Sequence, residues 1–217
     1  FHAKITSPQT EAFFKTLGLK APSLPMRFFG PQGMGLAIEM PSAIPPAKQM
    51  VAKDLLETLK NSAEGFFQSF EPVAWGNLLE RAEASGSVQL ASGGFLVVYP
   101  DVVPNQKVFL AFDEAFRLQY LEARDEEKLV SGILRVSWEK VRDRWVPVRL
   151  QNEYIASGVK TFSSGMTIRN AEIGSYTLPV FVSILALNSE GSGQVSPGPV
   201  SGILEFAISD YMCVFPR

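Results

Sequence analysis

The sequence predicts an α+β protein in which N-terminal helices pack on a curved antiparallel sheet of about seven or eight strands. Residues 129–171 form three long alternating segments joined by short turns, which is the pattern of an antiparallel meander. Residues 51–70 instead repeat apolar side chains at helical spacing. The helical pattern comes first and the strand patterns follow, and this order indicates the α+β class.

The first 45 residues predict a partly irregular N-terminal extension, and residues 46–217 predict a helix-covered antiparallel β domain. A short helix is expected at residues 10–19, because Phe13, Phe14 and Leu17 share one face. Residues 26–40 predict an irregular strand pair around a glycine turn. Prolines at 45 and 46 mark the start of the next helix, where a first turn tolerates proline.

Two further helices are predicted between residues 46 and 84. The first carries its apolar stripe over about five turns. Gly65 lies inside it and costs about 1 kcal/mol relative to alanine, so we expect a break there. The second helix begins at Pro72, ends near Ala84 and includes Trp75, with Gly86 as its stop.

The remaining chain reads as strand. Residues 178–187 are apolar on both faces, as in a strand that is covered on both sides. The loop at 188–199 is rich in glycine, serine and proline, and its length is typical of a mobile or functional loop. Strands are predicted at 88–90, 94–99, 107–112, 116–120, 129–141, 145–155, 178–187 and 202–215. A further strand is predicted after the break at 156–158 and ends at residue 171.

Composition excludes several functions. The net charge of −2 gives no basic field for nucleic acid, and no run reaches the ~18 apolar residues of a membrane span. One histidine, His2, and one cysteine, Cys213, cannot form a zinc site or a histidine-based triad, so we expect no metal, cofactor or enzymatic activity. The sequence does not begin with methionine, so Phe1 is expected to be a processed or trimmed end.

Carboxylate pairs offer an alternative chemistry. Asp113 with Glu114, and residues 125–127, contain the groups that an acid and a base would need. Both sets lie at predicted hairpin turns, and for neither does the sequence indicate an apolar pocket that would shift a pKa. We therefore interpret them as solvated turns.

The sixteen phenylalanines indicate either a wide aromatic core or an apolar cavity. The filled core is the favoured interpretation. A sheet under a helical lid can also leave a space that removes acyl chains or other apolar ligands from water. The candidate cavity residues are Phe66, Phe70, Trp75, Phe112, Trp138 and Tyr154.

One hairpin has a local excess of basic residues. It carries five basic side chains and two acidic ones, Glu139 and Asp143. This excess of positive charge would attract an acidic protein partner or anionic headgroups. The alternative is a solvated hairpin end. The candidate docking residues are Arg135, Lys140, Arg142, Arg144 and Arg149.

Four segments of the strand region resemble the later half of lipoprotein-sorting, LolA-like proteins. They are 109–118 with Asp113, the strand ending at Trp138, the Pro-x-Arg strand 145–149 and the strand 166–170 ending at an asparagine. The resemblance covers about residues 85–215 and rests on pattern. It implies a half-barrel with helices against its concave face, a hydrophobic cavity, no enzymatic activity and a periplasmic or cell-envelope location. The sequence departs from this pattern before Pro41, where the first strands of that fold are expected.

Two functional hypotheses follow. The first is a non-enzymatic protein that holds a lipid or another apolar ligand in a half-barrel cavity. The alternative is an accessory subunit that docks on a larger protein assembly through the basic hairpin or the N-terminal segment.

Overall fold

The computed structural model of the 217-residue chain describes residues 2–28, 34–74, 87–91, 93–103, 106–124, 130–156, 159–188 and 202–212. Within these ranges the chain forms two helices and twelve strands. The helices are α1 (Pro8–Thr16) and α2 (Pro46–Ala74). The strands are β1 (His2–Thr6), β2 (Leu24–Phe28), β3 (Met34–Leu36), β4 (Ser87–Ala91), β5 (Gly94–Val103), β6 (Gln106–Asp113), β7 (Leu118–Arg124), β8 (Val130–Val141), β9 (Arg144–Ala156), β10 (Val159–Ile173), β11 (Tyr176–Asn188) and β12 (Gly202–Met212).

The strands form one antiparallel sheet in the hydrogen-bonded order β3-β2-β1-β12-β11-β10-β9-β8-β7-β6-β5-β4. The prediction of an α+β fold, with N-terminal helices packed on about seven or eight strands, is therefore wrong. The described chain is mostly β, and its first 36 residues supply three of the twelve strands. His2 begins β1 and pairs with both Arg27 and Met212.

The N-terminal strands escaped prediction because they are short and depend on distant pairing. β1 and β2 have five residues each and β3 has three, too few to establish an alternation on their own. β1 becomes a strand through its antiparallel pairing with β12, at the far end of the sequence. Such long-range pairing decides strand formation more strongly than local propensity does.

Helix α2 is continuous through Gly65 and Pro72, so the predicted break and the separate second helix are not observed. Residues 75–84 of that predicted helix, including Trp75, lie outside the described residues. The cost of a helical glycine is about 1 kcal/mol, whereas each large buried side chain contributes about 1.5–3 kcal/mol. Phe67 is buried beside a stripe of buried positions that advances by alternate steps of four and three. The stripe is Ala52, Leu56, Leu59, Ala63, Phe66, Phe70 and Val73.

The chain divides into two compact units. The first comprises Phe1–Gln68, Ile168–Ser183 and Leu204–Arg217, and the second comprises Ser69–Thr167 and Ile184–Ile203.

The core of the first unit joins α2 to the N-terminal and C-terminal strands. Ile5 is fully buried and has two buried partners in register, Leu24 on β2 and Ile208 on β12. From α2, the Phe66 ring contacts the Phe206 ring edge to face, with the ring centroids 5.8 Å apart. The helix therefore covers the apolar face of these strands.

The second unit contains the meander that the sequence predicted. Strands β4 to β9 pair with their sequence neighbours throughout. The β8–β9 hairpin turns at Arg142 and Asp143, between the paired residues Val141 and Arg144, which confirms the predicted turn. Arg142 adopts a φ of 53°, a left-handed conformation that the tight turn requires.

Candidate functional site

One face of the second unit carries apolar side chains in three parallel rows, here called the apolar face. Residues opposite each other on antiparallel strands project to the same side, so pairing defines each row. The middle row crosses β5 to β10, and each neighbouring pair in it is in register. The middle row is Val97, Leu110, Leu121, Leu134, Asn152 and Ser164.

Two further rows flank the middle row. The covered row combines the pair Phe112 and Leu118 with the paired residues Val136, Leu150 and Met166, and all five side chains are buried. The open row is Val108, Ala123, Gly132, Tyr154 and Phe162. Its members are half-buried except for Tyr154, which is 55% exposed and lies against the Phe162 ring. Burial therefore falls from the covered row to the open row.

The smallest side chains of the apolar face lie on β7 and β8, in the open row. Ala123 and Gly132 are opposite each other in the open row, and the half-buried Leu121 and Leu134 are the corresponding pair in the middle row. A Cβ atom added to Gly132 would meet only the Glu153 carbonyl oxygen, at 3.7 Å, which is ordinary contact. The small residues leave a recess between larger apolar neighbours.

Two polar side chains interrupt this apolar surface. Asn152 and Ser164 are direct partners on β9 and β10. Ser164 is only 8% exposed, and Asn152 is half-buried. Among the described residues, no buried side-chain nitrogen or oxygen atom lacks a hydrogen-bond partner. An amide and a hydroxyl each offer a donor and an acceptor, so the pair is a polar spot within an otherwise apolar surface.

Three of the six sequence-predicted cavity residues lie on the apolar face. Phe112 lies in the covered row and Tyr154 in the open row, while Trp138 follows Val136 on the same face of β8 and donates its Nε1 hydrogen to the Leu118 carbonyl, at 2.8 Å. Phe66 belongs instead to the core of the first unit. Phe70 is buried near the end of α2, and Trp75 lies outside the described residues.

The predicted docking residues are all exposed but do not share one face. Arg135 and Arg149 lie on the face opposite the apolar rows, since each is adjacent in sequence to a row member. Lys140 has the parity of Trp138 and so projects to the apolar side. Arg142 and Arg144 lie at the turn. The five cations therefore spread around the hairpin instead of forming a single patch.

An arginine–aromatic cluster lies at the same end of the second unit, and sequence analysis did not identify it. The Arg117 guanidinium lies 3.8 Å from the centre of the Trp145 ring, and Trp145 is 43% exposed. Phe116 stacks on Phe95 and is 62% exposed. The only sequence signal was the group of large side chains at two predicted turns.

Asp113 anchors this cluster. Its carboxylate accepts hydrogen bonds from the backbone N–H groups of Ala115 and Arg117, from the Arg117 side chain and from the Gln119 amide. Partial burial raises the pKa of Asp113, but the hydrogen bonds and charge of Arg117 outweigh that effect and hold the pKa below its ordinary value. Asp113 therefore stays ionised and stabilises the β6–β7 turn.

On the opposite face, Glu153 pairs with Lys160 at 2.7 Å. The hydrogen bond from Lys160 lowers the pKa of Glu153 most strongly; partial burial opposes it, and the charges of Lys160 and Arg135 add to the lowering. This ion pair lies behind the strand positions that carry Asn152 and Tyr154. The charges of this pair therefore lie on the face opposite the three rows.

Among the described residues, no three His, Cys, Asp or Glu side chains are grouped so that they could hold a metal ion. The described helices include none that is long and apolar enough to cross a membrane. Comparisons with protein-family models, with curated proteins and with solved structures found no match.

Proposed function

We propose that the protein is a non-enzymatic binding protein that holds a lipid or another apolar ligand against the apolar face of the second unit. The observation that carries this proposal is the change from buried to half-buried and exposed side chains across its three rows. A partly uncovered apolar surface of this kind is typical of ligand sites and interaction sites.

The recess at Ala123 and Gly132 adds a geometric argument. Covering apolar surface contributes about 25 cal/mol per Å² removed from water. A chain-like ligand lying over the small residues would contact Leu121 and Leu134 on one side and Tyr154 on the other. The resemblance of residues 85–215 to lipoprotein-sorting proteins supports the same hypothesis, because it implies a hydrophobic cavity and no enzymatic activity.

Filling the recess tests the proposal. In Gly132→Ile, the new side chain occupies the recess, and a β-branched residue suits a strand. We expect the affinity for Nile red, an uncharged apolar dye, to fall about tenfold or more while the circular dichroism spectrum is unchanged. Native mass spectrometry of the gently purified parent protein should show a co-purifying lipid, which the variant has lost.

Gly165→Ile is the matched control. Gly165 lies on β10 between Ser164 and Met166, so its side chain would project to the opposite face, where an added Cβ meets nothing within 4 Å. This variant should bind the dye like the parent protein. Equal dye binding by both variants and the parent would show that the ligand does not bind at the apolar face.

The arginine–aromatic cluster favours a second candidate, an accessory subunit that docks on a larger protein assembly. Trp and Arg are enriched among the residues that dominate protein interfaces, and Trp145 and Arg117 are already stacked on each other. Exposed Arg142 and Arg144 at the adjacent turn extend the surface. In this hypothesis the partner binds at the end of the β8–β9 hairpin, and the apolar face contributes only to packing.

Native mass spectrometry separates the two candidates. A bound lipid supports the carrier, whereas a stable stoichiometric protein partner without lipid supports the subunit. Trp145→Ala should release such a partner, because truncating an interface hot spot costs 2 kcal/mol or more, or about 30-fold in affinity. Gly132→Ile should leave the partner bound.

A further inference from the structure

The β6–β7 turn holds an aromatic ring in a backbone conformation that bulky residues rarely adopt. Phe116 has a φ of 59°, in the left-handed region, and is 62% exposed. Its N–H donates to the Asp113 carbonyl oxygen, at 3.0 Å, and the Asp113 carboxylate accepts the N–H groups of Ala115 and Arg117 on either side. The ring stacks on Phe95, with the ring centroids 5.0 Å apart. The turn is therefore held in place with Phe116 partly in solvent, and strained positions of this kind cluster at functional sites.

A second exposed ring lies beside this turn. The antiparallel pairing of β6 to β9 brings the β6–β7 and β8–β9 turns to the same end of the second unit. The Arg117 guanidinium lies over the Trp145 ring, so Phe116 and Trp145 are brought together by one arginine. Leu118, which follows this arginine on β7, is buried in the covered row. The two exposed rings, here called the aromatic tip, therefore extend the apolar surface beyond the covered row.

The charges around the aromatic tip balance. Residues 113–117 and 139–144, which form the two turns and the strand ends beside them, contain four basic and four acidic side chains. The basic excess of the β8–β9 hairpin comes from Arg135 and Arg149, which lie on the face opposite the apolar rows. Arg117 is paired with Asp113, at 2.5 Å. The tip therefore complements a surface without net charge better than an acidic or a basic one.

The exposed area of the tip decides between a protein surface and a lipid surface. An aromatic side chain presents about 150–250 Å² in full, so the exposed fractions of Phe116 and Trp145 amount to about 200 Å² for the two rings together. A specific protein interface buries about 800 Å² on each partner, which is far more than the tip offers. Insertion into the interfacial region of a bilayer needs only the rings themselves, and tryptophan is enriched in that region.

We infer that the aromatic tip inserts into the headgroup region of a bilayer without net surface charge and docks the protein reversibly on a lipid surface. This inference rests on the proposed function, because a protein that holds a lipid must meet a surface that supplies or receives it. The recess at Gly132 lies toward the other end of the same strands, beyond the middle row. Docking therefore leaves the recess uncovered, and the two activities can be measured separately.

Sedimentation with sucrose-loaded vesicles of phosphatidylcholine tests the docking. We expect the parent protein to bind these vesicles, and to bind equally well when about a third of the lipid is anionic phosphatidylglycerol or when salt is raised. Phe116→Asn removes the ring but keeps a residue that tolerates the left-handed conformation, so the turn should survive. Phe116→Asn and Trp145→Ala should each lower vesicle affinity about tenfold or more, whereas Phe116→Trp should retain it.

Met50→Ala is the control, because it removes a 72% exposed apolar side chain on α2 and should leave vesicle affinity unchanged. The inference is overturned if the parent does not bind phosphatidylcholine vesicles, if binding requires phosphatidylglycerol, or if Phe116→Asn and Trp145→Ala bind like the parent. A stoichiometric protein partner without vesicle binding would also overturn it.

Nile red binding without vesicles shows which hypothesis has failed. Phe116→Asn and Trp145→Ala should bind the dye like the parent protein, because neither residue belongs to the three rows. A parent that binds the dye but not the vesicles contradicts only the docking. A parent that binds neither contradicts the proposed function as well.

Discussion

Truncation of Phe66 tests whether this ring is core or cavity lining. Phe66 is fully buried on α2, and its ring contacts Phe67 with the ring centroids 4.9 Å apart and Phe206 at 5.8 Å. A buried Phe→Ala change costs about 3–5 kcal/mol, since transfer free energy is lost and a cavity remains. The total stability of a domain is only about 5–15 kcal/mol, so Phe66→Ala removes a large part of it.

Urea unfolding followed by circular dichroism measures this loss. With a slope of about 2 kcal/mol/M, the unfolding midpoint of Phe66→Ala should fall by about 1.5–2.5 M. Met50→Ala is the control on the same helix, because Met50 is 72% exposed and its loss should change stability by less than about 0.5 kcal/mol. A midpoint near that of the parent, together with lost binding of an apolar dye, would refute the core assignment and make Phe66 a cavity residue.

Three further substitutions test local features of the fold. Gly65→Ala should raise the free energy of unfolding by about 1 kcal/mol in urea denaturation, because the added Cβ meets nothing within 4 Å and alanine is the better helix former. Gly94→Ala should lower the urea midpoint and disrupt the β5–β6 pairing, since its Cβ would lie 1.9 Å from a backbone carbonyl oxygen of β6, whereas Gly165→Ala, at an open position, should not. Because the pKa of Asp113 is lowered in the folded protein, its stabilising effect is complete above the unfolded pKa of about 3.9 and is lost as pH falls through the folded pKa. Asp113→Asn should therefore weaken the fall of the urea midpoint at acid pH. An unchanged fall would show that the contacts with Arg117 contribute nothing to stability.

The elements that sequence analysis predicted are those whose pattern is complete within one segment. The alternation of β8 and β9 and the turn between them extend over residues that are close in sequence. The helical spacing of α2 survives Gly65 because the flanking Ala63 and Phe66 are fully buried. Antiparallel strand pairing in the strand-rich part of the chain could therefore be predicted from periodicity alone.

The elements that escaped prediction depend on distant partners. β1 has only five residues, and its neighbours in the sheet are β2 and the C-terminal β12. No local pattern indicates that pairing. The same reason explains the wrong fold class, because the N-terminal region predicted as a partly irregular extension instead contributes β1, β2 and β3 to the sheet.

The candidate site has a local signal in the sequence, a polar residue at an apolar position of the alternation, which periodicity alone does not reveal. Along β9 the apolar side alternates Leu150, Asn152, Tyr154, and along β10 it alternates Phe162, Ser164, Met166. In each strand a single polar residue replaces an expected apolar one. Each replacement alone is an ordinary irregularity, and only the register shows that the two coincide.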